Sequence, residues 1–245
     1  MGPDPVVILP GFLLTPARFK EMRAALRALG CGRVWIVPLT VGDWAASVTA
    51  AGWARILSKL EGTVCRAREE EEAKKVVLIG HSSGGVMGRL YLGSEPFRGH
   101  VYDGKRFVRT LITLGSPHQA KRASPMRRKV QAMYPGAFFK PQVEYVSVAG
   151  KSVLGDPKGS PRERAAYRGY KMLCGSGAIW GDGAVPIDSA LLEGARHLVL
   201  DGVHHYATNG GRLWYGSADV VPRWFNPGTQ YSFPNSPPDR GRGKK

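Results

Sequence analysis

Cysteine is scarce and unpatterned in this chain. Cys31, Cys65 and Cys174 are the only three, an odd number with no CxxC or Cys/His ligand spacing, which excludes a disulfide framework and a structural zinc site. A reducing, intracellular compartment suits them. Long apolar runs are missing too: the stretch Val6 to Leu14 is broken by Pro10, is too short to span a bilayer, and follows no basic segment. Gly2 follows Met1, but Pro3 and Val6 stand where an acylation signal needs other residues. Met1 lies close to the first apolar run, so no targeting segment is visible and a soluble or peripheral protein is expected. Acidic residues are few. The 35 Lys and Arg outweigh 19 Asp and Glu, giving a net charge of +16 that attracts anionic lipid or nucleic acid. Specific nucleic-acid binding is not expected, because neither a helix-turn-helix pattern nor a paired aromatic platform is present.

What remains is a chain with a core to bury: 43% of its residues are hydrophobic and 22% charged, the balance of a globular domain. Apolar, β-branched runs at Pro5 to Pro10, Val34 to Leu39, Lys75 to Gly80, Val108 to Leu114, Val143 to Ala149 and His197 to Asp201 alternate with helical stretches. They are unbroken rather than alternating, so they read as strands buried on both faces of a mostly parallel sheet. The class is α/β, with helices on both faces. A first helix is expected from Thr15 as cap and Pro16 in its first turn, with Phe19, Met22, Leu26 and Leu29 facing inward and Gly30 ending it. A second should run from Trp44 to about Arg68, with Val48, Trp53, Ile56, Leu60 and Val64 toward the sheet. The charges from Arg66 to Lys75 read as its solvated end. One domain is expected over 1–225, with insertions at 116–142 and 151–170 as lid candidates. A basic, proline-rich tail at 226–245 is expected to be mostly disordered.

The strand Lys75–Ile79 leads into Gly80-His-Ser-Ser-Gly84, a G-x-S-x-G between a strand and a helical pattern. A sharp strand-to-helix turn forces Ser82 into a strained conformation and presents its hydroxyl at the sheet's carboxyl edge, and Gly80 and Gly84 avoid collisions across the turn. Taken alone, such a segment can also be a glycine-rich turn whose serines cap a helix. A serine hydroxyl is a poor nucleophile at neutral pH, so a histidine must take its proton and a carboxylate must orient that histidine. His81 lies in the turn itself, His100 and His118 precede any plausible acid loop, and His197 begins a strand. His204 and His205 remain, in a loop after the last apolar run. For the acid, Asp182 stands between Gly181 and Gly183 in a tight loop. Asp188 reads as a helix cap and Asp201 as a strand end. An oxyanion hole would draw its backbone donors from Ser83 and from Phe12, after the Pro10-Gly11 turn.

These segments, together with Thr113-Leu-Gly-Ser-Pro-His118, Gly202-Val-His-His205 and Trp214-Tyr-Gly216, resemble the α/β-hydrolase lipases and esterases. The likeness is greatest to lipase-like proteins of plants, algae and cyanobacteria, more distant to GPI-inositol-deacylase-like lipases, and covers roughly residues 5 to 225. It implies an α/β-hydrolase fold of about six strands and a serine hydrolase cleaving carboxylic esters, acyl lipids among them, without metal or cofactor. Because that group ends in Gly-Val-Tyr-His-Ser, the resemblance assigns the base to His205 rather than His204, with Tyr206 in place of the usual Ser. It makes His118 structural or site-lining and implies a cytoplasmic or plastid location. An acyltransferase using the same triad, or a catalytically silent binding protein of the same fold, would share these motifs.

Between Lys121 and Lys129 five residues are basic and none acidic, and Tyr134, Phe138 and Phe139 follow. Two readings compete for this segment. One is a flap that makes peripheral contact with an anionic membrane surface. The other is a solvated helix whose aromatics join the core.

Overall fold

The computed structural model describes residues 4–120, 122, 124–207 and 211–226. In chain order its elements are β1 (Val6–Leu9), α1 (Lys20–Ala28), β2 (Val34–Ile36), α2 (Val41–Ala46), α3 (Ala50–Glu70), β3 (Val76–His81), α4 (Ser83–Tyr91) and β4 (Val108–Leu114). There follow α5 (Pro125–Met133), β5 (Glu144–Lys151), β6 (Val153–Leu154), α6 (Pro161–Cys174), β7 (Trp180–Gly181), α7 (Ile187–Ala190), β8 (Arg196–Asp201) and α8 (Val221–Trp224). Six strands form one sheet in the order β2-β1-β3-β4-β5-β8, and every neighbouring pair in it is parallel. A small antiparallel pair, β6 with β7, stands apart and was not legible as strand in the sequence.

The unbroken apolar runs have a simple cause. Successive side chains of a strand point to opposite faces, and both faces of the inner strands are covered, whereas the edge strand β8 departs from the expectation and leaves Val199 exposed. Val6 and Ile8 pack with Phe19, Met22, Leu26 and Trp224 on one side. Val7 and Leu9 pack with Ile56, Leu57, Leu60 and Val64 of α3 on the other. Each such aliphatic side chain contributes about 1.5–3 kcal/mol on burial. The parallel register brings the carboxyl ends of β1, β3, β4, β5 and β8 to one edge, where the loops of interest emerge.

Three local expectations need correction. The first helix begins as a 3-10 turn over Pro16–Phe19, and the Thr15 side chain makes no capping hydrogen bond. Gly30, at φ +88°, does end it. The second expected helix is two helices. Ser47 Oγ bonds back to Trp44 C=O at 2.7 Å, while Thr49 Oγ1 accepts from Gly52 N–H at 3.1 Å and caps α3. These local side-chain bonds compete with continuation of the helix. Val48 is therefore 82% exposed in the break instead of facing the sheet, whereas Trp44 is buried. Asp188 sits inside the first turn of α7, and Pro186 occupies the cap position. The charged end of α3 is exposed, with Arg33 paired to Glu70. The expected tail lies outside the described residues except for Asn226.

The break also explains Gly52, since a Cβ there would lie 2.0 Å from Ala46 O. Gly52→Ala should separate the two helices and lower stability by about 1–3 kcal/mol, read as a lower urea midpoint at constant slope. An unchanged midpoint would show that the junction relaxes freely.

Candidate functional site

The turn after β3 holds Ser82 at φ +53°, ψ −123°, a region that L residues rarely adopt. Its N–H is anchored to Leu114 C=O at 2.8 Å across β4. A Cβ on Gly80 would lie 2.4 Å from Gly85 Cα, and one on Gly84 would lie 2.4 Å from Leu9 O, so the turn closes only with hydrogen at both positions. The Pro10-Gly11 turn lies directly over it, since a Cβ on Gly11 would meet Ser82 Cβ at 2.8 Å. The Phe12 and Ser83 side chains line the same cavity as Ser82. Ser83 opens α4, so its N–H has no intrahelical partner, and no backbone carbonyl among the described residues takes the Phe12 N–H.

Asp182 is buried in the loop after β7, where Gly183 adopts φ +98°. Its Oδ1 accepts from Ala184 N–H at 2.9 Å and Val185 N–H at 2.7 Å. Its Oδ2 accepts from His205 Nδ1 at 2.6 Å and from Tyr215 OH at 2.8 Å. Burial alone would push this carboxyl up, but the His205 charge and hydrogen bond and the two backbone donors outweigh it and hold it below the usual carboxylate value. Because the carboxylate only accepts, His205 Nδ1 is the donor of this bond, which turns Nε2 to the side of the ring away from Asp182. That Nε2 is buried without a hydrogen-bond partner. The His205 ring lines the cavity that also holds Ser82, Ser83 and Phe12.

The adjacent histidine is placed differently. His204 Nδ1 accepts from the Arg162 guanidinium, and burial together with Arg162 and Arg212 pulls its pKa down to about 4. Thus the structure brings His205 onto Asp182 and leaves His204 outside the pair. Tyr206 packs its ring edge-on against His205 at 4.4 Å. His81 is buried beneath: its Nε2 donates to His205 C=O at 3.0 Å, and burial and His205 lower its pKa to about 3. His118 is structural, bonded through Nε2 to Thr113 Oγ1 at 3.0 Å. His100 pairs with Glu61 and His197 bonds Leu192 C=O. Asp201 is exposed and faces Lys151 at 3.7 Å.

Two residues of the site escaped the sequence reading. Tyr215 had no role there beyond the Trp-Tyr-Gly signature, yet its hydroxyl accepts from Gly150 N–H at 2.7 Å while donating to Asp182. Arg127 was one of several cations, yet its Nη2 reaches Ser83 Oγ at 3.4 Å. The cavity above Ser82 measures about 420 Å³ and has apolar walls that include Trp44, Trp53, Met87 and Leu173, a size suited to a small ligand or an acyl chain. Among the described residues no group of three or more His, Cys, Asp or Glu side chains could hold a metal ion, and no helix is long and apolar enough to cross a membrane.

Tyr215→Phe leaves Asp182 Oδ2 with one donor and the Gly150 N–H without an acceptor. Stability should fall by about 1–3 kcal/mol, read by urea unfolding at neutral pH; no change would mean that the hydroxyl supports neither group. The buried histidines also set an acid limit. His81 and His118 have native pKa values depressed by burial, whereas the unfolded chain takes up these protons below about pH 6.5. Their contribution is complete above that pH and is lost progressively as pH falls toward 3. Unfolding free energies measured between pH 7 and pH 4 should therefore decline, and a flat profile would contradict the neutral, buried state of both rings.

A family described as PGAP1-like alpha/beta domain matches residues 52–145, the stretch that contains the Ser82 turn but neither Asp182 nor His205. No curated protein matches the sequence. Among solved structures, the chain is similar to a sugar hydrolase (YeeB) from Lactococcus lactis, with 12% identity, a TM-score of 0.49, and coverage of 82% of this chain and 74% of the other. An alpha-beta serine hydrolase homologue from Coxiella burnetii shares 14% identity over 83% of this chain and 77% of its own, with a TM-score of 0.43. A structure from work on the metagenome-derived lipolytic enzymes LipS and LipT shares 10% identity over 62% and 74%, with a TM-score of 0.39. The parallel sheet in the order β2-β1-β3-β4-β5-β8, with a strained serine turn after β3 and helices on both faces, gives the chain an α/β-hydrolase fold.

Proposed function

We propose that the protein is a serine ester hydrolase acting on carboxylic esters, acyl lipids among them. The observation that carries this reading is the buried Asp182–His205 pair, whose imidazole lines the same cavity as Ser82. In the proposed reaction Ser82 Oγ attacks the ester carbonyl while His205 Nε2 takes the hydroxyl proton, and the imidazolium is stabilised by the Asp182 carboxylate. The tetrahedral oxyanion is held by the N–H groups of Phe12 and Ser83 and by the positive end of α4, each such donor contributing about 3–4 kcal/mol in comparable chemistry. Collapse transfers the proton from Nε2 to the leaving alcohol and leaves Ser82 acylated. Water, deprotonated by the same nitrogen, then releases the carboxylic acid. None of these steps calls on a metal or an organic cofactor.

The strained serine supports this assignment against a merely structural turn, because positive φ at a non-glycine residue costs about 1–3 kcal/mol and aims the hydroxyl at the histidine-bearing cavity. Turnover of short- and long-chain p-nitrophenyl esters should fall by about a thousandfold or more in Ser82→Ala, with loss of labelling by a fluorophosphonate probe. A wild-type protein that neither turns over the esters nor takes the label would leave a binding protein of hydrolase fold.

A further inference from the structure

The cavity is not uniformly apolar, and its polar end is positively charged. Ser124 caps α5, with its Oγ accepting from Arg127 N–H at 3.4 Å, so the first turn of that helix carries Arg127 to the edge of the Ser82 turn. Arg127 is half-buried, and burial lowers its pKa, but a guanidinium remains charged at neutral pH. The one hydrogen bond of its guanidinium among the described residues is to Ser83 Oγ, and none of the ion pairs found there involves it. A second cavity of about 460 Å³ adjoins the first through Met172 and is lined, among the described residues, by Arg122, Arg168, Lys171, Met172 and Gly175, none of them a carboxylate. An unpaired cation beside a partly dry cavity is unfavourable by itself. It is balanced when the substrate supplies the anion.

We infer that the site takes an acyl ester whose headgroup bears a phosphate: the acyl chain between Trp44, Trp53, Met87 and Leu173, the carbonyl at Ser82, and the phosphate against Arg127 toward the cations beyond Met172. This rests on the ester-hydrolase reading and narrows its substrate class. The shared chemistry is a phosphoryl group on the alcohol side of the ester. Arg127 offers it paired N–H donors of suitable geometry, and Arg122, Arg168 and Lys171 add a field that salt weakens.

The test compares dihexanoyl phosphatidic acid with dihexanoylglycerol, two esters with the same acyl groups that differ by the phosphate, both kept below their aggregation limits. Hydrolysis by the wild-type protein should favour the phosphate ester in kcat/KM by about tenfold or more, and this ratio should shrink as ionic strength rises. Arg127→Gln should lower the ratio toward one. Binding to Ser82→Ala, measured by calorimetry, gives the same comparison without turnover, and the double variant Ser82→Ala/Arg127→Gln should lose the difference. Equal binding and equal turnover of the two esters would overturn the subsite while leaving the hydrolase intact. A phosphate preference in binding without Ser82-dependent turnover would keep the subsite and defeat the hydrolase. A preference confined to phosphatidic acid vesicles, absent with the monomeric ester, would also overturn the subsite, by assigning the charge to adsorption on a lipid surface.

Discussion

A carboxylate taken out of water is destabilising by several kcal/mol unless its oxygens find donors, and Asp182 finds four. Ala184 and Val185 N–H, His205 Nδ1 and Tyr215 OH all converge on it, and each comes with a constraint on the chain that supplies it. The first two fold the loop after β7 back on itself. His205 fixes the loop after β8, whose N–H also donates to Asp182 C=O at 3.0 Å. Tyr215 ties the segment before α8 to the end of β5 through Gly150. Close packing completes the enclosure: a Cβ on Gly115 would lie 2.5 Å from Asp182 Oδ2, and one on Gly150 would lie 2.9 Å from Asp182 Cβ. Four segments, the loops after β7 and β8, the stretch before α8 and the end of β5, are thus held by one buried charge.

The serine turn is the counterpart of that assembly on the other side of the cavity. Its strain is maintained by β4, which binds Ser82 N–H, and by the close approach of the Pro10-Gly11 loop. His81 links the two halves, since it belongs to the turn and donates to the carbonyl of His205. The ring is buried, and burial keeps it neutral beneath the site.

The segments around α5 and α6 give the cavity its particular character. The cap residue Ser124 and Arg127 of α5, with Gly169, Met172 and Leu173 of α6, form one wall. Of the aromatic residues that follow α5, Tyr134 is buried and contacts Phe139, while Phe138 is 51% exposed. The segment therefore divides its work: Val130 and Tyr134 hold the helix on the body of the protein, and Arg127 faces the cavity. Of the chain's 35 Lys and Arg, Arg127 lines the cavity that contains the serine, and Arg122, Arg168 and Lys171 line the one that adjoins it.

The sheet and the serine turn were legible because they are local. Alternation of β-branched runs with helical spacing, and glycines where two backbones approach, leave their mark within a few residues of chain, and all six strands of the main sheet stand where the apolar runs lie. The break between α2 and α3 was missed because Ser47 and Thr49 interrupt an amphipathic pattern without glycine or proline at the break, and the hydroxyl bonds that cause it have no periodic signature. For the histidine, the chain offered two adjacent candidates and a family likeness. By itself, then, the sequence determined the fold class, the strained serine turn and a short set of histidines and carboxylates that could meet near it. Tertiary structure decided which imidazole meets Asp182, gave Tyr215 its place on the carboxylate and turned Arg127 toward Ser83. The reason is that such contacts join residues far apart in the chain, and their geometry exists only when the sheet has brought the loops together.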